Sequence, residues 1–381
     1  NIRRLIKLLI LFGFLMSITL AIGKLYQKWD DDPDRGALAI QNGTFGEDYS
    51  TPLYLDQGWS ANDSLWYYNT TQGSALIPYD FFIALEQAEF NEPFRANSLI
   101  DKYRYLPQKP TFFNPDGLPV GFVKEGYKGK DYIGFTCAAC HTGQVNYKGT
   151  ALRIDGGPAL ADMVGFLTEL EKSMTRALTD AEKNERFVRN VLALGNNYSR
   201  AEEVQRDLKR WTRKVNLYNT INHSRVDYGY ARLDAFGRIY NRVLEHVISR
   251  RQVRDVLLGA TKADGDTNLM TAAQVDKVLD NISETIIGDL QFAKIIERLM
   301  STDEGYPGLG MVDMERVKTL IFNEPNAPVS YPFLWDIAQS DYVQWNGLAS
   351  NAAMGPLGRN TGEVIGVFVI LDWTARERGW S

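Results

Sequence analysis

Phe135-Thr136-Cys137-Ala138-Ala139-Cys140-His141-Thr142-Gly143 is the stretch on which the reading of this chain turns. Two thiols three residues apart, followed at once by an imidazole, form the pattern C-x-x-C-H. At that spacing the two sulfurs reach the two vinyl groups on one edge of a porphyrin, and the adjacent imidazole lies under the iron. The expected cofactor is therefore one covalently attached haem c and its iron, held by Cys137 and Cys140, with His141 as the proximal metal ligand. A thioredoxin-like dithiol also uses C-x-x-C, but it opens a helix after a strand in a small α/β domain, which suits neither this length nor this texture. A zinc site needs two further ligands close by, and only His223 and His246 remain, far down the chain.

Those are also the only two cysteines in 381 residues, so no framework of structural disulfides is expected. The 42 basic and 47 acidic residues are spread along the chain, giving a net charge of −5 with no basic block to track a phosphate backbone. No nucleic-acid partner is expected.

The chain divides by texture into four parts. Residues 1–28 read as a signal peptide or membrane anchor: Arg3, Arg4 and Lys7 precede an apolar run from Leu8 to Ile22, and a charged stretch follows from Lys24. Extended back to Leu5, the run of residues 5–22 approaches the roughly 20 residues a spanning helix needs. The positive-inside asymmetry then puts everything after Lys24 on the periplasmic or extracellular side, with the inner membrane as partner of the N-terminal segment. Residues 29–157 are rich in Gly, Pro, Asn, Asp and aromatics and predict loops and short helices, ending in the C-x-x-C-H motif. One helix is expected to open at Pro78-Tyr79-Asp80, and Asn114-Pro115-Asp116-Gly117 predicts a turn. Residues 158–322 change to helical periodicity, with helices expected over Ala159–Leu178, Ala181–Leu194, Arg200–Leu217, Ala231–Ile248 and Thr271–Ile287. Residues 323–381 return to aromatics, Pro and Gly, as in Tyr331-Pro332-Phe333-Leu334-Trp335-Asp336, and predict ordered loop packed on something larger. The fold class expected is mainly α: a c-type cytochrome haem domain with long ordered loops and a helical insertion.

Around the motif, Thr142-Gly143-Gln144-Val145 turns the chain away, and Arg153 enters a tight Gly-rich turn. Its guanidinium is a candidate partner for a haem propionate, since it matches a carboxylate bidentately; a solvated surface arginine is the equal alternative. Candidates for a sixth iron ligand are His223, His246, Met163, Met174, Met311 and Met354. A protein ligand there closes the iron for electron transfer, and an empty position opens it to dioxygen or peroxide. Each methionine reads first as core filler, and His246, between Leu244 and Val247 on an amphipathic helix, as structural.

Several segments taken together carry a likeness. Trp66-Tyr67-Tyr68 with Gln72-Gly73-Ser74 and Pro78-Tyr79-Asp80, Asn114 to Phe122, Cys137 to His141, Arg232-Leu233-Asp234-Ala235-Phe236-Gly237-Arg238, Val343-Gln344-Trp345-Asn346-Gly347 and Arg359-Asn360-Thr361-Gly362-Glu363 resemble the di-haem cytochrome c peroxidase superfamily, in the branch containing the haem-dependent rubber oxygenases. The likeness runs from about Trp59 to Phe368. It implies an exported, mostly α-helical protein with two c-haems, the N-terminal one active beneath an open distal face lined by aromatics. His141 would then serve the active-type haem, and Phe236 is the candidate distal aromatic, with a core ring as its alternative. The second C-x-x-C-H that the family carries after the Arg-Asn-x-Gly-Glu segment is not among residues 1–381. A fragment leading toward a missing second haem domain, or a one-haem variant, is expected.

The function implied is an oxidoreductase of the peroxidase or dioxygenase type, with a redox partner or small oxidant (peroxide or dioxygen) and an apolar organic substrate as partners. The competing class is a non-enzymatic, membrane-anchored electron-transfer cytochrome c.

Overall fold

The computed structural model describes residues 2–41, 43–283, 286–343, 347, 349–370, 375–376 and 379–380. Among them lie thirteen α-helices, and about 47% of the chain is helical, with small sheets only; the chain is mainly α.

Helix α1 (Ile2–Gln27) follows from the apolar run and is exposed along its whole length. Its 26 residues rise about 39 Å, enough to cross a hydrocarbon core of about 30 Å. It is long and apolar enough to span a membrane, a test that an export signal also passes.

Residues 29–157 hold two small sheets that the loop-like composition does not announce. Strand β1 (Tyr49–Tyr54) belongs to one; helix α2 (Ala61–Asn69) follows it, started by a reciprocal cap between Ser60 and Asp63. Then come β2 (Ile77–Pro78), α3 (Tyr79–Ala84) at the expected Pro78 start, and α4 (Asn97–Lys102). Two hairpins complete the sheets: β3 (Phe122–Tyr127) with β4 (Lys130–Phe135), and β5 (Thr142–Tyr147) with β6 (Gly149–Asp155). Both turn on a Lys-Gly pair at positive φ, the geometry that suits two-residue hairpin loops. The strand orders are β2-β4-β3 and β1-β6-β5, with β1 parallel to β6. The C-x-x-C-H turn is thus the link that carries the chain from β4 of one sheet into β5 of the other.

The helical region matches the periodicity with shifted ends. Helix α5 (Met163–Thr179) starts four residues later than expected because Asp162 caps it, and α6 (Ala181–Leu194) lies where expected. Helix α7 (Ala201–Ile221) runs one turn further. Strand β7 (Arg232–Leu233) takes the first part of the segment expected to be helical from Ala231, so α8 (Ala235–Val247) begins after Asp234, whose carboxylate caps Gly237. Helix α9 (Arg250–Gly259), not expected from the pattern, has its own cap from Ser249 and Gln252. Helix α10 (Ala272–Val278) stops well short of Ile287, and Asn281 follows at positive φ. Helices α11 (Asp289–Met300) and α12 (Met311–Ile321) follow, then β8 (Val329–Ser330), which pairs with β7. The aromatic C-terminal segment is not all loop, since it contains α13 (Gly355–Gly366), packed on α8. Gln344, Trp345 and Asn346 of the aromatic motif lie outside the described residues.

Two cores result. The first gathers aromatic rings from the β2-β4-β3 sheet, from the loop after α4 and from α5: Phe122 lies 5.0 Å from Tyr105, 4.9 Å from Phe135 and 5.5 Å from Phe166. The second is aliphatic and is built by α9 to α12 with the end of α7. A satellite of Leu65, Tyr68, Val120 and Ala138 packs α2 directly on the C-x-x-C-H turn.

Candidate haem site

The motif forms a single 3₁₀ turn over Cys137–Ala139. Thr136 opens it, its hydroxyl accepting from the Ala138 N–H at 3.2 Å. The Cys137 carbonyl closes it, accepting from the N–H groups of Cys140 at 3.2 Å and His141 at 2.9 Å. In such a turn, residues i and i+3 lie one above the other, so the two thiols share a side.

Three segments grip this turn. The Thr136 N–H donates to the Gly121 carbonyl at 2.8 Å, and the Ala159 N–H donates to that of Cys140 at 3.0 Å. The Tyr67 hydroxyl donates to the His141 carbonyl at 2.8 Å. Gly121 has φ of +79°, and a Cβ there would lie 2.0 Å from the Ala139 nitrogen and 2.4 Å from its Cα. Only glycine lets the Pro119–Phe122 backbone press so closely against the motif.

The thiols are not poised for dithiol redox chemistry. Burial pushes Cys140 up to about 12. Burial also raises Cys137, opposed by a hydrogen bond to its Sγ from the Gln72 amide at 2.9 Å. A thioredoxin-like pair needs the reverse, a thiol lowered into the range where it is ionised. His141 Nδ1 stands 2.7 Å from the Pro332 carbonyl oxygen. A carbonyl only accepts, so Nδ1 carries the proton and the Nε2 lone pair is left to a ligand. Burial lowers the imidazole pKa, with the Pro332 bond opposing it, which favours the neutral ring that a metal requires. Pro332 itself is delivered by the β7–β8 pairing and fixed by two further bonds, from Leu334 N–H to Gly156 O at 2.9 Å and from Trp335 Nε1 to Asp155 O at 3.1 Å.

These residues fit a covalently attached porphyrin: two thiols on one face of one turn, and one oriented imidazole beside them. Among the described residues no group of three His, Cys, Asp or Glu side chains is placed to hold a metal ion.

Arg153 is not a surface arginine. It is 1% exposed, with Nε and Nη2 donating to Gln144 Oε1 at 3.0 and 2.8 Å across the β5–β6 ladder, while Nη1 has no partner. Phe236 is not a core ring either; it is half-exposed in the first turn of α8. Helix α8 packs on α13, which carries Glu363, a carboxyl raised by burial whose charge acts on the Cys137 thiol. Met163 and Met174 are core filler as expected, whereas Met311 and Met354 are exposed. His246 is buried on α8 with Nδ1 2.8 Å from the Arg242 carbonyl, and His223 is exposed. The sequence assigned no role to Tyr67, Gln72, Gly121 or Pro332. The first three sat in segments quoted for the resemblance, but nothing local linked any of the four to His141.

No known protein family and no solved structure matches the chain. It is similar to an uncharacterized protein of Sinorhizobium fredii designated y4iJ, 25% identical over 351 residues, which cover 85% of this chain and 46% of the relative. The chain therefore spans less than half the length of that curated relative.

Proposed function

We propose that this chain is a c-type haem oxidoreductase of the peroxidase or dioxygenase type, working on the non-cytoplasmic side of a membrane and allied to the rubber-oxygenase-like branch of the di-haem cytochrome c peroxidase superfamily. The observation that carries the reading is the 2.7 Å bond between His141 Nδ1 and the Pro332 carbonyl, because it prepares an imidazole behind a C-x-x-C pair as an axial ligand. Cys137 and Cys140 would hold the haem edge through thioethers, and His141 would offer its Nε2 lone pair to the iron. Haem c, when bound, supplies the redox chemistry. The chain's part is to hold and orient: Tyr67, Gly121 and Ala159 fix the turn, and Pro332 fixes the ring. Phe236, on the helix packed against α13, is the proposed aromatic of the open face. The exposed apolar α1 supports export, as signal or anchor.

The test is to express the chain in a host that attaches haem c, count covalent haem by pyridine haemochrome, and record the reduced spectrum with and without carbon monoxide. One covalent haem with a shifted Soret band on adding carbon monoxide is expected. A six-coordinate spectrum that ignores carbon monoxide replaces this reading with an electron-transfer cytochrome. No covalent haem overturns it entirely.

A further inference from the structure

A large cavity lies away from the thiols, between α5 and the end of α7 on one side and α11 and α12 on the other, with a volume of about 1150 Å³. That is at the top of the range for small-molecule sites, about 300–1,000 Å³. Its walls are buried aliphatic and aromatic side chains: Ile221, Leu257, Phe292, Ile295 and Leu299. Met311 and Val312, 76% and 73% exposed, stand at the edge.

Polar side chains line the cavity too, among them Glu171, Asn219, Asp227, Glu315 and Lys318, and Arg238 is the most deeply buried charged group of the lining. Arg238, on α8, is 4% exposed. Its Nη1 and Nη2 reach the Tyr218 hydroxyl and the Asn222 carbonyl only at 3.4 Å each, beyond the usual 2.7–3.2 Å, and its Nε has no partner. The rings of Tyr218 and Tyr228 each lie 5.7 Å from the guanidinium. The Tyr228 hydroxyl, on the same cavity, is also buried without a partner. Arg238 forms no ion pair with any described residue. Asp234, one turn before it, directs its carboxylate to the N–H groups of Gly237 at 2.9 Å and Ala327 at 3.1 Å. Lys318, equally buried on the same cavity, is by contrast paired with Glu315 at 2.7 Å. A buried guanidinium without a counter-charge is costly, and such groups normally meet an anion.

We infer that this cavity binds a long-chain fatty acid, with its carboxylate on Arg238 and its alkyl chain along the aliphatic wall of α11 and α12. The guanidinium fork matches a carboxylate bidentately, and one uncompensated positive charge calls for one negative charge. The walls beyond it offer mainly apolar contact. This site is separate from the C-x-x-C-H turn, and the inference does not rest on the haem reading.

The test titrates the purified chain with palmitate and with hexadecanol, which keeps the chain length but lacks the charge, using calorimetry with native mass spectrometry for stoichiometry. Palmitate is expected to bind one to one and about tenfold tighter than hexadecanol, the order of a charge-assisted hydrogen bond. Arg238→Gln is expected to abolish that preference while leaving hexadecanol unchanged. Val312→Asp, at an exposed edge position where folding is not at stake, is expected to weaken both ligands. If Arg238→Gln fails to fold, the wild-type preference and Val312→Asp decide. No palmitate binding, equal affinity for acid and alcohol, or palmitate binding indifferent to Val312→Asp would each overturn the inference.

Discussion

Replacing Gly121 by alanine puts the geometry of the motif turn to its hardest test. The backbone there has φ of +79°, which costs an L side chain about 1–2 kcal/mol. The added Cβ would also lie 2.0 Å from the Ala139 nitrogen, 2.4 Å from its Cα and 2.7 Å from the Ala138 carbonyl carbon, all backbone atoms. Ordinary contacts fall at about 3.5–4.0 Å, so the Cys137–Cys140 turn must move by about 1.5 Å. Overpacking of this kind adds about 1–3 kcal/mol. The sum, roughly 2–5 kcal/mol, is a large part of a typical stability of about 5–15 kcal/mol. Gly129→Ala is the internal control: its φ is +75°, yet no atom lies within 4 Å of the built Cβ, so it carries the backbone cost alone. Urea unfolding followed by tryptophan fluorescence is expected to place Gly121→Ala about 1–3 kcal/mol below Gly129→Ala. A haem stain of denaturing gels is expected to show covalent haem falling only in the former. Equal stability of the two variants, with equal haem content, would refute the claim that the Gly121 backbone braces the motif.

Two further perturbations test the frame around the site. Asp155 is buried and accepts from Arg35 at 2.9 Å, Ser64 at 2.6 Å and the Tyr68 hydroxyl, so Asp155→Asn strands the buried Arg35 charge. A loss of about 3–5 kcal/mol is expected in chemical denaturation, and a loss under about 1 kcal/mol would mean that the buried Arg35–Asp155 pair does not hold the end of β6 in place. Glu324 is held at about 2, below its ordinary 4.5, first by the Arg225 guanidinium at 2.8 Å and then by the Arg225 backbone N–H at 2.9 Å. A depressed carboxylate contributes stability that is complete above 4.5 and is lost as pH falls toward 2. The stability difference between wild type and Glu324→Gln should therefore stay constant above about 4.5 and shrink below it; a difference that stays flat down to pH 3 would contradict the pairing.

What was legible in the sequence was what is encoded over a few neighbouring residues. The C-x-x-C-H spacing, the apolar run behind Arg3 and Arg4, and the stripes of α5, α6 and α7 are all local patterns of period or adjacency, and they appear in the structure where expected. Helix ends were less legible, because a cap such as Asp162 or Asp234 competes with the periodic pattern and wins by satisfying the first N–H groups. The β3–β4 and β5–β6 hairpins are local and were masked by the Gly- and Asn-rich, loop-like composition around them, whereas the pairing of β1 with β6 was hidden because it spans about a hundred residues and leaves no local period. The same reason hid the rest of the site. His141 by itself announces only a candidate ligand, but its tautomer is set by Pro332, 191 residues away, and its place by Tyr67 and Gly121 on other elements. The sequence by itself thus determined the C-x-x-C-H spacing, the apolar N-terminal helix and the helical class. Only the tertiary structure decided the burial of Arg153, the exposure of Phe236 and the aim of the imidazole, because each depends on which distant backbone comes to lie beside it.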